Sequence, residues 1–215
     1  MFVPYICYIW DEFKPMERPQ VENRIAEALK TYPKGSVLFV DDFIDYGNSE
    51  SVKKALLRLK EKEILVRLAH GIYMYPKVDK ELGVLFPSTE EIAKAIARRD
   101  KARILPTGVQ ALNKLGLSTQ VPMKVVYLTD GAARTVKIGK RLITFKKTSP
   151  KNLLVKGEIS GLAIQALKTI GQNRADGKTI EKFQAILKNE KKENIIHDAK
   201  LSPVWVNKIL MQVIE

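Results

Sequence analysis

The chain has 215 residues, of which 45% are hydrophobic and 28% charged, enough for one large domain or two small ones with buried cores. The single Cys7 excludes an intramolecular disulfide framework and fits a reducing compartment. No stretch approaches the roughly 20 apolar residues that span a bilayer. We therefore expect a cytoplasmic protein without a membrane anchor.

The net charge of +13 is unevenly distributed. Residues 1–100 contain 16 basic and 16 acidic residues, whereas residues 101–215 contain 21 basic and 8 acidic residues, a difference equal to the whole net charge. A field of one sign over half of a protein attracts polyanions, which favours nucleic acid or an acidic protein as the partner. Because many basic proteins bind neither, charge alone identifies no partner.

The first residues, "MFVPYICYIWDEFKP", are apolar enough to resemble a signal peptide. They lack a basic start and a small-residue cleavage site, and they run into Asp11 and Glu12. We therefore expect residues 1–15 to be either a disordered leader or a mis-started extension, and in the second case Met16 is the natural start.

Residues 16–80 are predicted to form a winged helix-turn-helix domain. The predicted elements are, in chain order, a helix at residues 20–31, a strand in "SVLFV", a short helix in "DDFIDYG", a helix from Asn48 or Ser49 to Glu63, and strands at Ile64–Ala69 and Ile72–Tyr75 around a His-Gly turn. In a winged helix, the last of these helices lies in the major groove of DNA.

That last helix is the predicted DNA-reading element, and either Asn48 or Ser49 can cap its start. Its apolar side chains recur at helical spacing and would pack on the first helix; they are Val52, Ala55, Leu56 and Leu59. Side chains near its start are best placed to meet base edges, and the other cations to meet phosphates. The predicted base contacts are Ser51, Lys54 and Arg58. The predicted phosphate contacts are Lys53, Lys60, Lys62, Arg67 and His70.

The same cations also have a plainer interpretation. A charged helix face is usually only solvated, and Glu50 and Glu61 lie among the lysines, where they would repel DNA. The equal numbers of acids and bases in residues 1–100 also argue against strong nonspecific binding by this domain alone.

Residues 86–215 are predicted to form a mixed α/β domain with basic β-hairpins and a helical C-terminus, so that the whole fold is α+β. The stretch "ELGVLFPSTEE" has the pattern of a connector, in which Ser88 and Glu91 form a capping box for the next helix. A short helix in "TGVQALNKLG" follows. Turns at Asp-Gly 130–131 and Gly-Lys 139–140 join "MKVVYLT", "RTVKI" and "RLITFKK" into hairpins. From Glu158 onward the pattern is helical.

The predicted hairpins carry many cations. Eight basic residues and no acid lie between Gly131 and Gly157. "RLITFKK" has no cleanly apolar face, which predicts a half-exposed or edge location. These cations could bind tRNA, DNA or an acidic protein, or could only protect sheet edges from aggregation. The residues assigned to this basic surface are Arg134, Lys137, Lys140, Arg141, Lys146 and Lys147.

Little in the sequence indicates an enzyme. With one cysteine and two histidines, His70 and His197, a metal-ligand cluster at ordinary spacing is excluded, and no phosphate-binding glycine loop is present. A metal-dependent nuclease would need convergent carboxylates, for which the basic region offers only Asp130 and Glu158. We therefore predict no catalytic activity, metal or cofactor.

The winged-helix block with "HGIYMYPK", followed by "RILPTGVQALNKLGLSTQVPMKVVYLTDG" and "ITFKKTSPKN", resembles the AbiEi family of antitoxins. These proteins belong to type IV toxin–antitoxin pairs linked to abortive phage infection. The resemblance covers about residues 17–215. It implies a winged helix that binds inverted repeats at its own promoter and represses the operon. It also implies a C-terminal domain that counters a nucleotidyltransferase toxin directed at tRNA, without a tight complex between the two proteins.

Carried over to this sequence, the resemblance gives the DNA-reading role to Lys53, Lys54 and Arg58, and identifies no antitoxic residue. It gives the wing role to Arg67, His70 and Tyr73. The leading hypothesis is therefore a cytoplasmic autorepressor and antitoxin whose C-terminal domain occupies RNA or another negative surface. The alternatives are a winged-helix protein-interaction module without DNA binding, and a metal-dependent nuclease.

Overall fold

The computed structural model describes residues 21–120 and 122–214, and the predicted leader at residues 1–15 lies outside them. The chain divides into two compact units, one ending at Phe86 and one beginning at Pro87, which we call the N-terminal unit and the C-terminal unit. Both combine helices with small sheets, so the predicted α+β class is confirmed. Within the described residues, no helix is long and apolar enough to cross a membrane.

The N-terminal unit consists of helices packed on a small antiparallel sheet. Its elements are α1 (Val21–Leu29), β1 (Val37–Phe39), a 3-10 helix (Val40–Tyr46), α2 (Ser49–Glu61), β2 (Val66–Ala69), β3 (Ile72–Met74), β4 (Lys77–Asp79) and β5 (Gly83–Leu85). The first three strands form one sheet in the order β1-β3-β2, and β4 and β5 form a separate pair. The sheet order places β3 in the centre, between two antiparallel neighbours.

Helix α2 is fixed in place by its cap and by its apolar face. The side chain of Asn48 accepts a hydrogen bond from the Ser51 backbone N–H at 2.8 Å, as its predicted capping role requires. The four predicted core residues, Val52, Ala55, Leu56 and Leu59, are buried. They share a hydrophobic cluster with Ile25 and Leu29 of α1 and Phe43 of the 3-10 helix. The orientation of α2 relative to α1 is therefore set by packing.

The segment interpreted as a connector contains strand β5. Strands β4 and β5 form a hairpin in which Val78 lies opposite Val84. The Asp79 carboxylate accepts hydrogen bonds from the backbone N–H groups of Glu81 and Leu82 at 2.9 and 3.0 Å. Gly83 has a φ of +72°, which closes the turn without the strain that a side chain would cause. Strands of three residues are too short for their alternation to stand out in the sequence.

The C-terminal unit contains a four-stranded sheet and a group of helices. Its elements are α3 (Thr89–Arg99), β6 (Ile104–Thr107), α4 (Val109–Lys114), β7 (Lys124–Thr129), β8 (Arg134–Ile138), β9 (Arg141–Lys147), a 3-10 helix (Pro150–Leu153), α5 (Glu158–Ile170), a 3-10 helix (Gln172–Arg174), α6 (Gly177–Leu187), α7 (Lys192–Ala199) and α8 (Val204–Met211). The predicted capping box of α3 is confirmed, because Ser88 and Glu91 exchange hydrogen bonds at 3.2 and 2.7 Å. Helices α5 to α8 share one apolar core.

The sheet order corrects one of the two predicted hairpins. The order is β6-β7-β9-β8, with β7 and β9 parallel and β8 and β9 antiparallel. The turn at Gly139, whose φ is +56°, therefore closes a hairpin, but the predicted hairpin between β7 and β8 does not form. A two-residue hairpin turn of that kind requires positive φ at its glycine, and Gly131 does not have it. The Gly131 backbone N–H instead donates to the Thr129 hydroxyl at 3.0 Å.

Of the two locations predicted for "RLITFKK", half-exposed or at the edge, the edge position is wrong. This segment is β9, which lies between β7 and β8 and buries Ile143, Thr144 and Phe145. A central strand needs a hydrophobic middle. The charged residues at both ends of β9 leave neither of its faces uniformly apolar in the sequence, so the alternation of residues did not reveal that middle. The edge strands of this sheet are β6 and β8.

Two carboxylates from the region of α7 cap the start of α5. Asp198 is fully buried and accepts hydrogen bonds from the backbone N–H groups of Lys156 and Gly157 at 2.9 and 3.0 Å and from the Ser160 hydroxyl at 2.5 Å. Glu190 accepts one from the Ile159 backbone N–H at 2.9 Å. Burial opposes ionisation of Asp198, but hydrogen bonds from His197, Ser160 and the two backbone groups outweigh it and hold its pKa below the ordinary value.

Replacing this buried carboxylate should destabilise the protein in a pH-dependent way. Because the pKa of Asp198 is lower in the folded chain than in the unfolded chain, its ionised form stabilises the fold above about pH 4, and this stabilisation is lost as the pH falls further. Asp198→Asn should lower the free energy of unfolding by about 2 kcal/mol at pH 7. It should also flatten the acid side of the stability profile, measured by denaturant titration. The exposed Glu181→Gln is the control, and equal profiles for the two variants would contradict the capping role.

Candidate nucleic-acid interface

The charged side chains of α2 surround the side that faces away from its buried residues. Successive residues of a helix are 100° apart, so the outward centre of α2 holds Glu50, Lys54, Leu57 and Glu61. The remaining cations lie on two flanks, with Lys53 and Lys60 on one flank and Arg58 and Lys62 on the other. The flank with Arg58 faces α1, because Arg58 and Lys62 both contact Glu22.

Three of the predicted DNA-contacting cations form ion pairs within the N-terminal unit. Lys54 lies 2.7 Å from Glu50, one turn earlier in α2. Arg58 and Lys62 lie 3.7 and 2.5 Å from the two carboxylate oxygens of Glu22. All three cations stay more than half exposed, so solvent and ligands can reach them. The intramolecular acids nevertheless lower the charge that α2 presents.

Lys53 and Lys60 differ from these three. Both are exposed, and neither forms an ion pair with any residue that the structure describes. Their four-carbon stems allow the ammonium groups to reach outward from the helix flank. They are therefore the cations of α2 whose charge no described acid of the protein offsets, and they are available to an external partner.

The predicted contacts at the start of α2 and in the β2–β3 hairpin have mixed outcomes. The Ser51 hydroxyl donates to the Asn48 side chain at 2.8 Å, so its hydrogen is already used in the helix cap. Arg67 and His70 are exposed on the hairpin, and Arg67 Nε donates to the Ala69 carbonyl at 3.3 Å. Arg67 and His70 therefore remain candidates for phosphate contact, whereas Ser51 has a structural role.

Tyr73 is not part of this surface, and the wing role assigned to it is wrong. It lies in the central strand β3, between Leu38 and Arg67 of the neighbouring strands, and is 3% exposed. Burial raises the pKa of its hydroxyl, against the opposing effect of Arg67. Its ring belongs to the hydrophobic cluster of the N-terminal unit.

Arg134 is likewise held by the C-terminal unit itself. Its guanidinium forms an ion pair with Asp100, which follows α3, and lies 5.7 Å from the ring centre of Phe145. Such contacts fix an arginine in the structure. Its assignment to a free basic surface is therefore corrected, because this side chain links α3 to the edge of the sheet.

The other predicted cations of this region are exposed and form no ion pair with any described residue; they are Lys137, Lys140, Arg141, Lys146 and Lys147. Paired strand residues share a face and successive residues alternate. By that rule Lys137 and Lys146 lie on one face, Arg141 and Lys147 lie on the other, and Lys140 is in the turn. The cations therefore surround the β8–β9 hairpin.

Sequence reasoning missed one member of this basic surface, Lys124. It is exposed at the start of β7 and lies opposite Leu142 of β9, as Lys137 does from the other side. Lys124 and Lys137 therefore flank β9 on the same face. Only the parallel pairing of β7 with β9 brings them together, and no local pattern in the sequence indicates that pairing.

Of the two carboxylates proposed for a nuclease, Asp130 is bound by Arg103. Asp130 accepts hydrogen bonds from the Arg103 backbone N–H at 2.7 Å and from Arg103 Nε at 2.8 Å, and these bonds lower its pKa. Glu158 is the first residue of α5 and is exposed. Among the described residues, no group of three or more His, Cys, Asp or Glu side chains lies together in a way that could hold a metal ion.

Comparisons with known proteins give a family of unknown function and a distant structural likeness. The model of a family of unknown function, DUF6088, matches residues 24–195. A crystal structure of the RV2827C protein from Mycobacterium tuberculosis is similar over 90% of this chain and 81% of its own, at 12% identity and a TM-score of 0.41. No curated protein matches the chain. A structural likeness this distant carries no argument about function.

The different surroundings of Arg134 and Lys137 predict different effects of their removal. Arg134→Gln should lower the free energy of unfolding by about 1 kcal/mol, because Asp100 keeps Arg99 but loses the second of its two cationic partners. Lys137→Gln, on the same strand, should stay within about 0.5 kcal/mol of the wild type but elute earlier from a heparin column. Thermal unfolding and heparin retention measure the two effects. A stability loss for Lys137→Gln alone would contradict this division.

Proposed function

The chain belongs to the DUF6088 family, a family of unknown function, and we propose that it is a DNA-binding autorepressor and antitoxin that counters a nucleotidyltransferase toxin. The N-terminal unit would bind inverted repeats in its own promoter as a winged helix. The C-terminal unit would oppose the toxin through its basic surface. A repressor works where the DNA is, so we also propose a cytoplasmic location.

The arrangement of α2 beside the β2–β3 hairpin is the observation that carries the DNA-binding proposal. Helix α1, strand β1, the 3-10 helix, α2 and the antiparallel strands β2 and β3 follow one another, which is the order typical of a winged helix. The buried residues on one side of α2 pack into the core, and the charged side opposite them is exposed. The exposed Arg67 and His70 on the hairpin are compatible with backbone contact.

The two flanks of α2 favour phosphate contact over base reading. The major groove is about 12 Å wide and admits one helix, so cations on opposite flanks of that helix would face the two bordering phosphate strands. Lys53 and Lys60 would contact one strand, and Arg58 and Lys62 the other. Lys54 is the remaining predicted base contact that points outward.

Removal of the two unpaired cations of α2 should weaken DNA binding and its salt dependence. Lys53→Ala with Lys60→Ala would abolish two phosphate contacts and reduce the slope of log affinity against log salt by about 2. Fluorescence anisotropy with the upstream DNA at several salt concentrations measures both. Lys30→Ala with Lys34→Ala is the control, since it removes the same charge from exposed positions outside α2. Absence of wild-type binding at moderate salt would refute the repressor role.

The antitoxin half of the proposal is supported by unpaired charge. Six exposed lysines and arginines on the sheet form no ion pair with described residues; they are Lys124, Lys137, Lys140, Arg141, Lys146 and Lys147. Like charges kept close together repel one another and gain from a polyanionic partner. A toxin directed at tRNA could be opposed by a protein that covers the same RNA, without a stable complex between the two proteins.

Loss of charge at the tip of the β8–β9 hairpin should abolish the antitoxin role and leave the repressor role intact. The variant Lys137→Ala, Lys140→Ala, Arg141→Ala should lose binding to tRNA in a filter assay and fail to restore growth of cells that express the toxin from the neighbouring gene. It should still bind the upstream DNA. The charge-matched control is Lys178→Ala, Lys182→Ala, Lys188→Ala; these three exposed lysines lie in α6 or directly after it. Equal results for the two triple variants would contradict the proposal.

One observation favours a protein-interaction module instead. A groove of about 720 Å³ in the N-terminal unit is lined by five apolar residues, among them the exposed Val78 and Val84, and by the charged Lys60, Glu61, Glu63 and Arg67. A partner protein could bury these side chains. Association with a copurified protein that persists in high salt, together with no affinity for DNA, would select this function.

A further inference from the structure

Glu22 is a buried acid at the edge of the proposed DNA-binding surface. It lies in the first turn of α1, and its side chain is 8% exposed. Glutamate is almost never buried unless it is paired, and here each carboxylate oxygen contacts one cation of α2. These two cations form the flank of α2 that would contact one strand of a duplex.

We infer that Glu22 limits the sequence-independent binding of DNA by α2, because its carboxylate competes with backbone phosphates for Arg58 and Lys62. This inference rests on the proposed DNA binding by the N-terminal unit. Carboxylate and phosphate oxygens are alternative acceptors for guanidinium and ammonium groups. A phosphate therefore gains these two cations only to the extent that Glu22 loses them.

The burial of Glu22 makes this competition costly for DNA. Arg58 and Lys62 are 57% and 62% exposed, so both can turn toward a ligand, but the Glu22 carboxylate cannot follow them out of the protein. A carboxylate left buried without its cations is strongly unfavourable. Glu50 differs, because it is itself 78% exposed and can be hydrated when Lys54 contacts a phosphate.

The surface beside Glu22 can receive a phosphate. A groove of about 310 Å³ between α1 and α2 is lined by Val21, Glu22, Ser51, Lys54, Ala55 and Arg58. Its charged groups are therefore Glu22, Lys54 and Arg58. If the negative charge of Glu22 is removed, the groove becomes a site with cations alone, and its affinity for any duplex should increase.

The test compares Glu22→Gln with Glu27→Gln. Both variants raise the net charge by one, and both residues lie on α1, but Glu27 is an exposed residue that pairs with Lys30 at 2.8 Å. With an unrelated duplex, Glu22→Gln should bind about fivefold more tightly than Glu27→Gln, as expected for an ion pair worth about 1 kcal/mol. The salt slope should also steepen by about 1 to 2. Equal or weaker binding by Glu22→Gln would overturn the inference.

A second pair of variants leaves Glu22 in place. Lys62→Gln and Lys60→Gln each remove one exposed lysine near the end of α2, but only Lys62 is held by Glu22. Lys62→Gln should therefore weaken binding to the unrelated duplex less than Lys60→Gln, and an equal or larger loss would overturn the inference.

The repressor proposal has a separate outcome. If Glu22→Gln gains affinity for unrelated duplexes while the wild type shows no preference for its own upstream DNA, the inference stands and the repressor role fails.

Discussion

Burial of four apolar side chains on one side of α2 is the constraint on which the proposed DNA interface depends. Val52, Ala55, Leu56 and Leu59 pack against α1 and the 3-10 helix, and each would lose roughly 1–3 kcal/mol of burial if α2 rotated on its axis. Their burial determines which residues can face solvent. Lys53 and Lys60 project from one flank, and Arg58 and Lys62 are brought within reach of Glu22 on the other.

The two units differ in how many of their exposed cations form ion pairs with acids of the same unit. In the N-terminal unit, acids of the same unit pair with several lysines and arginines, so the field of α2 is moderate. In the C-terminal unit, Arg134 is paired with Asp100, but the cations around the β8–β9 hairpin have no such partner among the described residues. Long-range attraction of polyanions would therefore come mainly from the cations of the sheet, whereas α2 would make short-range contacts in the DNA groove.

The features that the sequence predicted are those encoded locally. Helical spacing indicated the buried face of α2, and the residues at 48, 88 and 91 indicated caps that require only neighbouring atoms. Contacts between residues far apart in the chain could not be predicted from local sequence patterns. The ion pairs of Glu22 join residues 36 and 40 positions apart, Asp100 and Arg134 are 34 positions apart, and β9 lies between its own preceding strands. Tyr73 was misplaced because its ring packs into the hydrophobic cluster of the N-terminal unit, and the three apolar residues of β3 do not alternate in a way that marks a buried face.

The most direct test of the account is lysine footprinting of the full chain with its own upstream duplex. Acetylation by a small reagent, read by mass spectrometry, reports which ammonium groups the duplex covers. The account predicts strong protection of Lys53 and Lys60, with Lys30 and Lys34 unchanged. Protection confined to the sheet lysines Lys137, Lys140 and Lys146, with Lys53 and Lys60 still reactive, would contradict the assignment of duplex binding to α2.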